Sequence, residues 1–182
     1  MESPARPGNA HLTLICETKS DNLIPDKYKI MKLFISILIP LLIGAGAAFF
    51  TQAGVHGWYV TANKPSYNPP AWLFAPVWTV LYIMMGVALY LIWKSKTDKK
   101  LKQTALMLFS VQLLLNFLWS FIFFYAQQTG WAFIDIIAMW LTILATIILF
   151  SKVSPAAAWL LVPYIFWVSF ASLLNFYIWQ HN

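Results

Sequence analysis

Charge is what this chain has least of. Only 10% of its 182 residues are Asp, Glu, Lys or Arg, where a water-soluble domain carries about 25%. A soluble enzyme and a disordered tail are both excluded on that ground. A nucleic-acid binder is excluded as well: the net charge is +6, but the lysines form no aromatic-interleaved basic stripe. One cysteine, Cys16, leaves no intramolecular disulfide and no cysteine-built metal site. His11, His56 and His181 stand far apart and none has a carboxylate near it in sequence, so no metal centre is expected. No glycine-rich phosphate loop and no nucleophile elbow occurs. No chain of buried acids suggests a proton relay or an ion pathway.

Apolar and aromatic side chains are what remain: 60% of residues are apolar, 18% are aromatic, and ten are tryptophan. The little charge there is lies unevenly. Residues 1–30 hold eight charged side chains, while Leu33 to the end holds nine. A helix needs about 20 mostly apolar residues to cross the hydrocarbon of a bilayer. Five stretches meet that length, at about 33–53, 71–93, 103–125, 131–151 and 155–179. Their apolar residues run continuously and do not alternate, which points to helices, not a barrel. The fold class expected is therefore an all-α integral membrane protein, a bundle of five transmembrane helices formed by residues 31–182. Residues 1–30 are polar, contain Pro4, Pro7, Gly8 and Pro25, and read as a disordered extension. Met31 reads as a sensible start for a bacterial-type membrane protein, which favours a bacterial cell membrane as its host.

Lysine and arginine collect on the cytoplasmic side of membrane proteins. Lys27, Lys29 and Lys32 precede the first span; Lys94, Lys96, Lys99, Lys100 and Lys102 follow the second; Lys152 follows the fourth. Against these nine, the alternate side has Lys64 alone. The N-terminus is expected inside, with the C-terminus and the first loop on the opposite side.

That first loop, GVHGWYVTANKPSYNPP, is long for a helix connector and stiffened by Pro65, Pro69 and Pro70. Trp and Tyr settle by default at membrane interfaces, which accounts for Trp58, Tyr59, Trp72 and Trp131. It accounts less well for Trp78, Trp119, Trp140 and Trp167, which lie within spans, where each indole N–H wants a partner. Asp135 is the only acid inside an expected span, about 6 Å below its outer end at 1.5 Å per residue. An intramembrane carboxylate normally faces a cavity or a partner, although a helix dipole also favours an acid at this position. Asn116 lies nine residues before the outer end of the third span, also in the outer half, with Gln112 one turn deeper on the same face. The agreement in depth points to one outward-opening aromatic pocket under the loop. Such a pocket suits a large, flat, apolar ligand with a polar edge.

Four separated motifs carry a resemblance: WYVTANKPSYNPPAWLFAPVWTVLY, QLLLNFLWSFIFF, GWAFIDI and VSPAAAWLLVPYIFWVSFASLLNFYIW. In order and spacing they resemble the tryptophan-rich sensory protein family, also called the translocator protein or peripheral-type benzodiazepine receptor family (TspO/MBR). The resemblance implies a five-helix membrane protein that binds porphyrins, acts in tetrapyrrole and stress physiology, forms a homodimer and requires no cofactor. Carried over by residue, it implies ligand-binding roles for Trp58, Tyr59, Trp78, Asn116, Asp135, Trp167 and Ala171; Trp119, inside the third span, joins the aromatic walls. Two alternatives stay open. One is light-dependent oxidative degradation of protoporphyrin, with Trp58, Trp78 and Trp167 as electron partners; the other is a membrane scaffold without a specific ligand. Animal members end the fifth helix with a cholesterol-recognition pattern. Here Leu174, Phe176 and Tyr177 are followed by Gln180 and His181 with no basic residue, so high-affinity sterol binding is not expected. Gly44 and Ala48 offer the small-residue spacing used in helix dimers.

Overall fold

A computed structural model describes residues 26–182. The expectations for Cys16, His11 and most of the polar leader lie outside the described residues. The chain is an integral, multi-pass membrane protein, and its described residues form five long helices: α1 (Asp26–Val55), α2 (Phe74–Lys94), α3 (Lys99–Ser120), α4 (Thr129–Val153) and α5 (Pro155–His181). Each is long and apolar enough to cross a bilayer. A π-helical turn, Phe121–Tyr125, prolongs α3, and short 3₁₀ turns, Trp58–Val60 and Ala71–Leu73, punctuate the α1–α2 loop. No strand occurs among the described residues.

The helix ends follow from local chemistry. Asp98 caps α3, its carboxylate accepting from the Leu101 N–H at 2.9 Å. Lys102 reaches back to the end of α2, donating to the carbonyls of Trp93 at 2.8 Å and Ser95 at 2.7 Å. Pro155 occupies the first turn of α5, where its missing N–H is harmless. α1 is already helical at Asp26, earlier than the expected 33, because polar residues stay helical where a helix projects past the hydrocarbon. Hydroxyls within the spans turn onto their own helix: Ser36 donates to the Lys32 carbonyl at 2.7 Å, and Thr146 to that of Thr142 at 2.7 Å.

Around the bundle the helices pack in the cyclic order α1, α2, α5, α4, α3, with α3 returning to α1. Two helices adjacent in sequence, α2 and α3, therefore scarcely touch. The α1–α2 seam is built on glycine. A Cβ on Gly86 would meet the Ile37 backbone and lie 2.9 Å from the Ser36 carbonyl oxygen, and one on Gly44 would run into the Tyr82 ring. Gly54 likewise admits Phe124 of the π turn. Gly44 is thus turned inward, whereas Ala48 is exposed. The small-residue pair expected as a dimer stripe is split between the inside and the outside, and Gly44 serves packing within the chain.

The core between the helices is filled. Phe109 of α3 stacks on Phe150 of α4 at 5.8 Å and 17°. Met85, Ile92, Ile136, Met139 and Tyr164 are wholly or almost wholly buried. Interior packing of this kind leaves few voids along the axis, so open space lies at the side of the bundle.

Candidate functional site

The residues singled out by depth and by resemblance fall into three neighbouring groups. The first crosses the bundle centre. Tyr82 of α2 donates its hydroxyl to Asn116 Oδ1 at 2.5 Å. Asn116 Nδ2 donates to the Tyr164 hydroxyl of α5 at 3.3 Å, and that hydroxyl donates to Met139 Sδ of α4 at 3.4 Å. Four helices are joined by this string, with Asn116 in the middle. Trp78 stacks on the Tyr82 ring at 5.6 Å and meets Tyr164 edge-on at 6.1 Å. Asp135 lies one turn above Met139 on the same face of α4; its Oδ2 is buried without a hydrogen-bond partner.

The second group lies under the α1–α2 loop. Trp58 donates its indole N–H to the Phe124 carbonyl at 2.9 Å. Trp58 and Tyr59 both pack on Phe123, and Trp119 stacks on that ring at 5.1 Å and 19°. The Trp119 N–H goes to Asn175 Oδ1 at 3.0 Å, and Asn175 Nδ2 goes on to the Thr129 carbonyl at 2.8 Å. Trp58 and Trp119 thus have their polar atoms satisfied by the protein itself. Tyr59 is buried and donates to Asn68 Oδ1 at 2.9 Å. Burial pushes its phenol up to about 12, although the Asn68 hydrogen bond pulls the other way. Lys64 caps the 3₁₀ turn, donating to the carbonyls of Tyr59 at 2.5 Å and Val60 at 3.1 Å, with its ammonium 4.8 Å from the Tyr59 ring centre.

The third group holds Trp167. Its ring meets Phe74 of α2 at 6.0 Å and Phe170 at 5.9 Å. Its indole nitrogen is buried with no acceptor. Ala171, one turn further along α5, is buried as well. The Trp167 ring forms part of the wall of a cavity of about 770 Å³ between α2 and α5. On the α2 side the lining runs from Trp72 and Leu73 through Pro76, Val77, Val80 and Leu81 to Met84. On the α5 side it is Pro163, Phe166, Trp167 and Phe170. Every lining residue is apolar or aromatic, and the volume is that of a small-molecule site.

The eight residues expected to form the site are divided among these three groups. Trp167 alone lines the cavity, which opens at the side of the bundle between α2 and α5. Sequence reasoning missed Tyr82 and Tyr164, which hold Asn116. Their spacing carried the signal: Tyr82 follows Trp78 by four residues and Tyr164 precedes Trp167 by three, so each pair shares a helix face. Gln112 is 1% exposed and both polar atoms of its amide lack a partner. Among the described residues no cluster of His, Cys, Asp and Glu could hold a metal ion.

Comparison with known proteins gives a consistent result. The model of the TspO/MBR family matches residues 36–180. The tryptophan-rich protein TspO of Chlorobaculum tepidum is 44% identical over 154 residues, covering 85% of this chain and 98% of that protein. The translocator protein of Bos taurus is 40% identical over 146 residues, 80% of this chain and 86% of its own. The tryptophan-rich sensory protein of Cereibacter sphaeroides is 35% identical over 119 residues, 65% of this chain and 73% of its own.

Proposed function

The chain belongs to the TspO/MBR family, and from that premise we propose that it is a receptor of the translocator type that binds porphyrins and similar flat hydrophobic molecules in the cleft between α2 and α5. The observation that carries this reading is the Trp167 ring in the wall of an apolar cavity of about 770 Å³, with its indole N–H buried and unpaired. An unpaired buried donor costs about 1–3 kcal/mol. A guest with an acceptor at its edge relieves that cost once the ring turns its N–H into the cleft. The flat apolar body of the guest meets Phe166, Phe170 and Trp72.

The other site residues act on the walls in this reading. Asn116 holds Tyr82 of α2 and Tyr164 of α5, and so sets the spacing of the two helices that bound the cleft. Trp78 packs on both tyrosines. Ala171 keeps the turn beside Trp167 small. Trp58, Tyr59 and Trp119 fasten the loop to the bundle, and Asp135 offers one unpaired carboxylate oxygen beside the central string. Nine lysines at one end against Lys64 at the other orient the loop away from the cytoplasm. A sensing role accords with the name of the Cereibacter relative.

Quenching of tryptophan fluorescence by protoporphyrin in detergent tests the reading. The wild type is expected to quench saturably, and Trp167→Phe to bind at least about fivefold more weakly, the equivalent of one hydrogen bond of about 1 kcal/mol. Affinity within about twofold of wild type would show that Trp167 is not in the site. A scaffold without a ligand predicts no rise in melting temperature with porphyrin, whereas a specific site raises it by linkage.

A further inference from the structure

We propose that the cleft is loaded sideways, by molecules already dissolved in the leaflet on the loop side, while the α1–α2 loop is a fixed roof and not the gate. This rests on the binding reading above and concerns the route and hence the class of ligand: one that partitions into the bilayer.

Two sets of observations carry it. The first is the shape of the mouth. The cleft runs from Trp72, in the 3₁₀ turn that precedes α2, along α2 to Met84, roughly 18 Å at about 1.5 Å per residue. No residue of α1, α3 or α4 lines it, so its long side faces out of the bundle. The side chains at this mouth are open: Trp72 is 71% exposed, Phe166 70% and Val80 55%. A flat apolar molecule in the same leaflet meets this opening by lateral diffusion, without losing its apolar surroundings and without any helix moving. Pro163 and Pro76 lie in the walls; their compact rings leave room where longer side chains would close the gap.

The second is the fastening of the roof. The Asn182 side chain grips the Asn63 backbone at both polar atoms: its Oδ1 accepts from the Asn63 N–H at 2.8 Å and its Nδ2 donates to the Asn63 carbonyl at 3.1 Å. The same Nδ2 also donates to the Ile178 carbonyl of α5 at 2.9 Å. Tyr67 of the loop packs on Phe170 of α5 at 6.5 Å. Trp58 is tied to the π turn, and Tyr59 to Asn68. A ligand arriving from water on the loop side would have to break several of these links together. A ligand arriving from lipid breaks none.

Rates separate the routes. The full chain, with Cys16→Ser, is placed in nanodiscs and mixed with vesicles carrying protoporphyrin, and the onset of tryptophan quenching is followed. Loading is expected to scale with porphyrin per lipid. A disulfide across the roof, from Asn63→Cys with Asn182→Cys, is expected to leave the loading rate within about twofold between its oxidised and reduced forms. Val80→Trp is expected to slow loading by about tenfold or more, while Leu141→Trp, on the exposed surface of α4 and outside the cleft, does not. A roof disulfide that slows loading by about tenfold, or a Val80→Trp variant that melts normally and loads at the wild-type rate, overturns the proposal. Absence of saturable quenching in the wild type at equilibrium would instead remove the binding reading, and this inference with it.

Discussion

Asn116 is the side chain on which most depends. It is 1% exposed, and its amide is used at both ends, by Tyr82 and by Tyr164. Hydrogen bonds between membrane helices average about 0.6 kcal/mol and reach about 1.7, so Asn116→Leu is expected to lower stability by about 1 kcal/mol. Tyr82→Phe is expected to cost less, since it leaves Asn116 with Tyr164. The double variant should fall short of the sum, because both remove the same bond. Unfolding of purified protein in mixed detergent measures all three; strict additivity would mean the bond contributes nothing. Tyr59 makes a different prediction. Its phenol is raised to about 12 by burial, so the folded state holds the proton where the unfolded chain, near 10, has lost it. The stabilisation is complete below about pH 10 and is lost as the pH rises from 10 through 12. Tyr59→Phe has no proton to lose, so its melting temperature should fall less steeply over that window than that of the wild type.

At the scale of the helix pair, glycine decides how closely α1 and α2 approach. Gly86 faces Ile37 and the Ser36 carbonyl with no room for a Cβ. The obstacle is backbone, which cannot turn aside as a side-chain tip can. Gly86→Ala is expected to cost about 1–3 kcal/mol by overpacking, against a small gain in helix propensity of about 1 kcal/mol. A melting temperature equal to or above that of the wild type would show that the seam has slack. The same scale shows what the sequence could and could not reveal. The five spans were legible because a run of about 20 apolar residues has no other stable use. Depth along each span was legible as well, since it is a count of residues. Azimuth was not. Trp119 and Trp167 both lie within spans, yet the Trp119 N–H is taken by Asn175 while that of Trp167 has no acceptor. In a helix that is apolar on every side, no polar face tells inside from outside, and only the neighbours settle it. Gly44 illustrates the same limit, since its spacing to Ala48 fits a dimer stripe but its position packs against Tyr82.

For the whole molecule the distribution of charge supports the orientation proposed above. Lys27, Lys29 and Lys32 stand at the start of α1, the lysines from Lys94 to Lys102 at the end of α2 and the start of α3, and Lys152 at the end of α4. All nine lie at one end of the bundle, since α1 and α3 begin there and α2 and α4 finish there. The other end has Lys64, already engaged with two loop carbonyls. Each lysine near a span opposes translocation, and the bias of nine to one acts on every loop in the same sense. In the orientation proposed above, the cleft between α2 and α5 would open in the leaflet facing away from the cytoplasm, because its lining runs from the loop end to about the middle of α2. Single cysteines read this directly in intact bacterial cells expressing the chain with Cys16→Ser. Ser66→Cys, on the exposed surface of the loop, should react with a membrane-impermeant thiol reagent without lysis. Lys100→Cys, exposed at the opposite end, should react only after lysis. The reverse pattern would invert the molecule and move the cleft to the cytoplasmic leaflet. A ligand made inside the cell would then reach the cleft from the leaflet it first enters, whereas in the orientation argued here it must cross the bilayer before it can load.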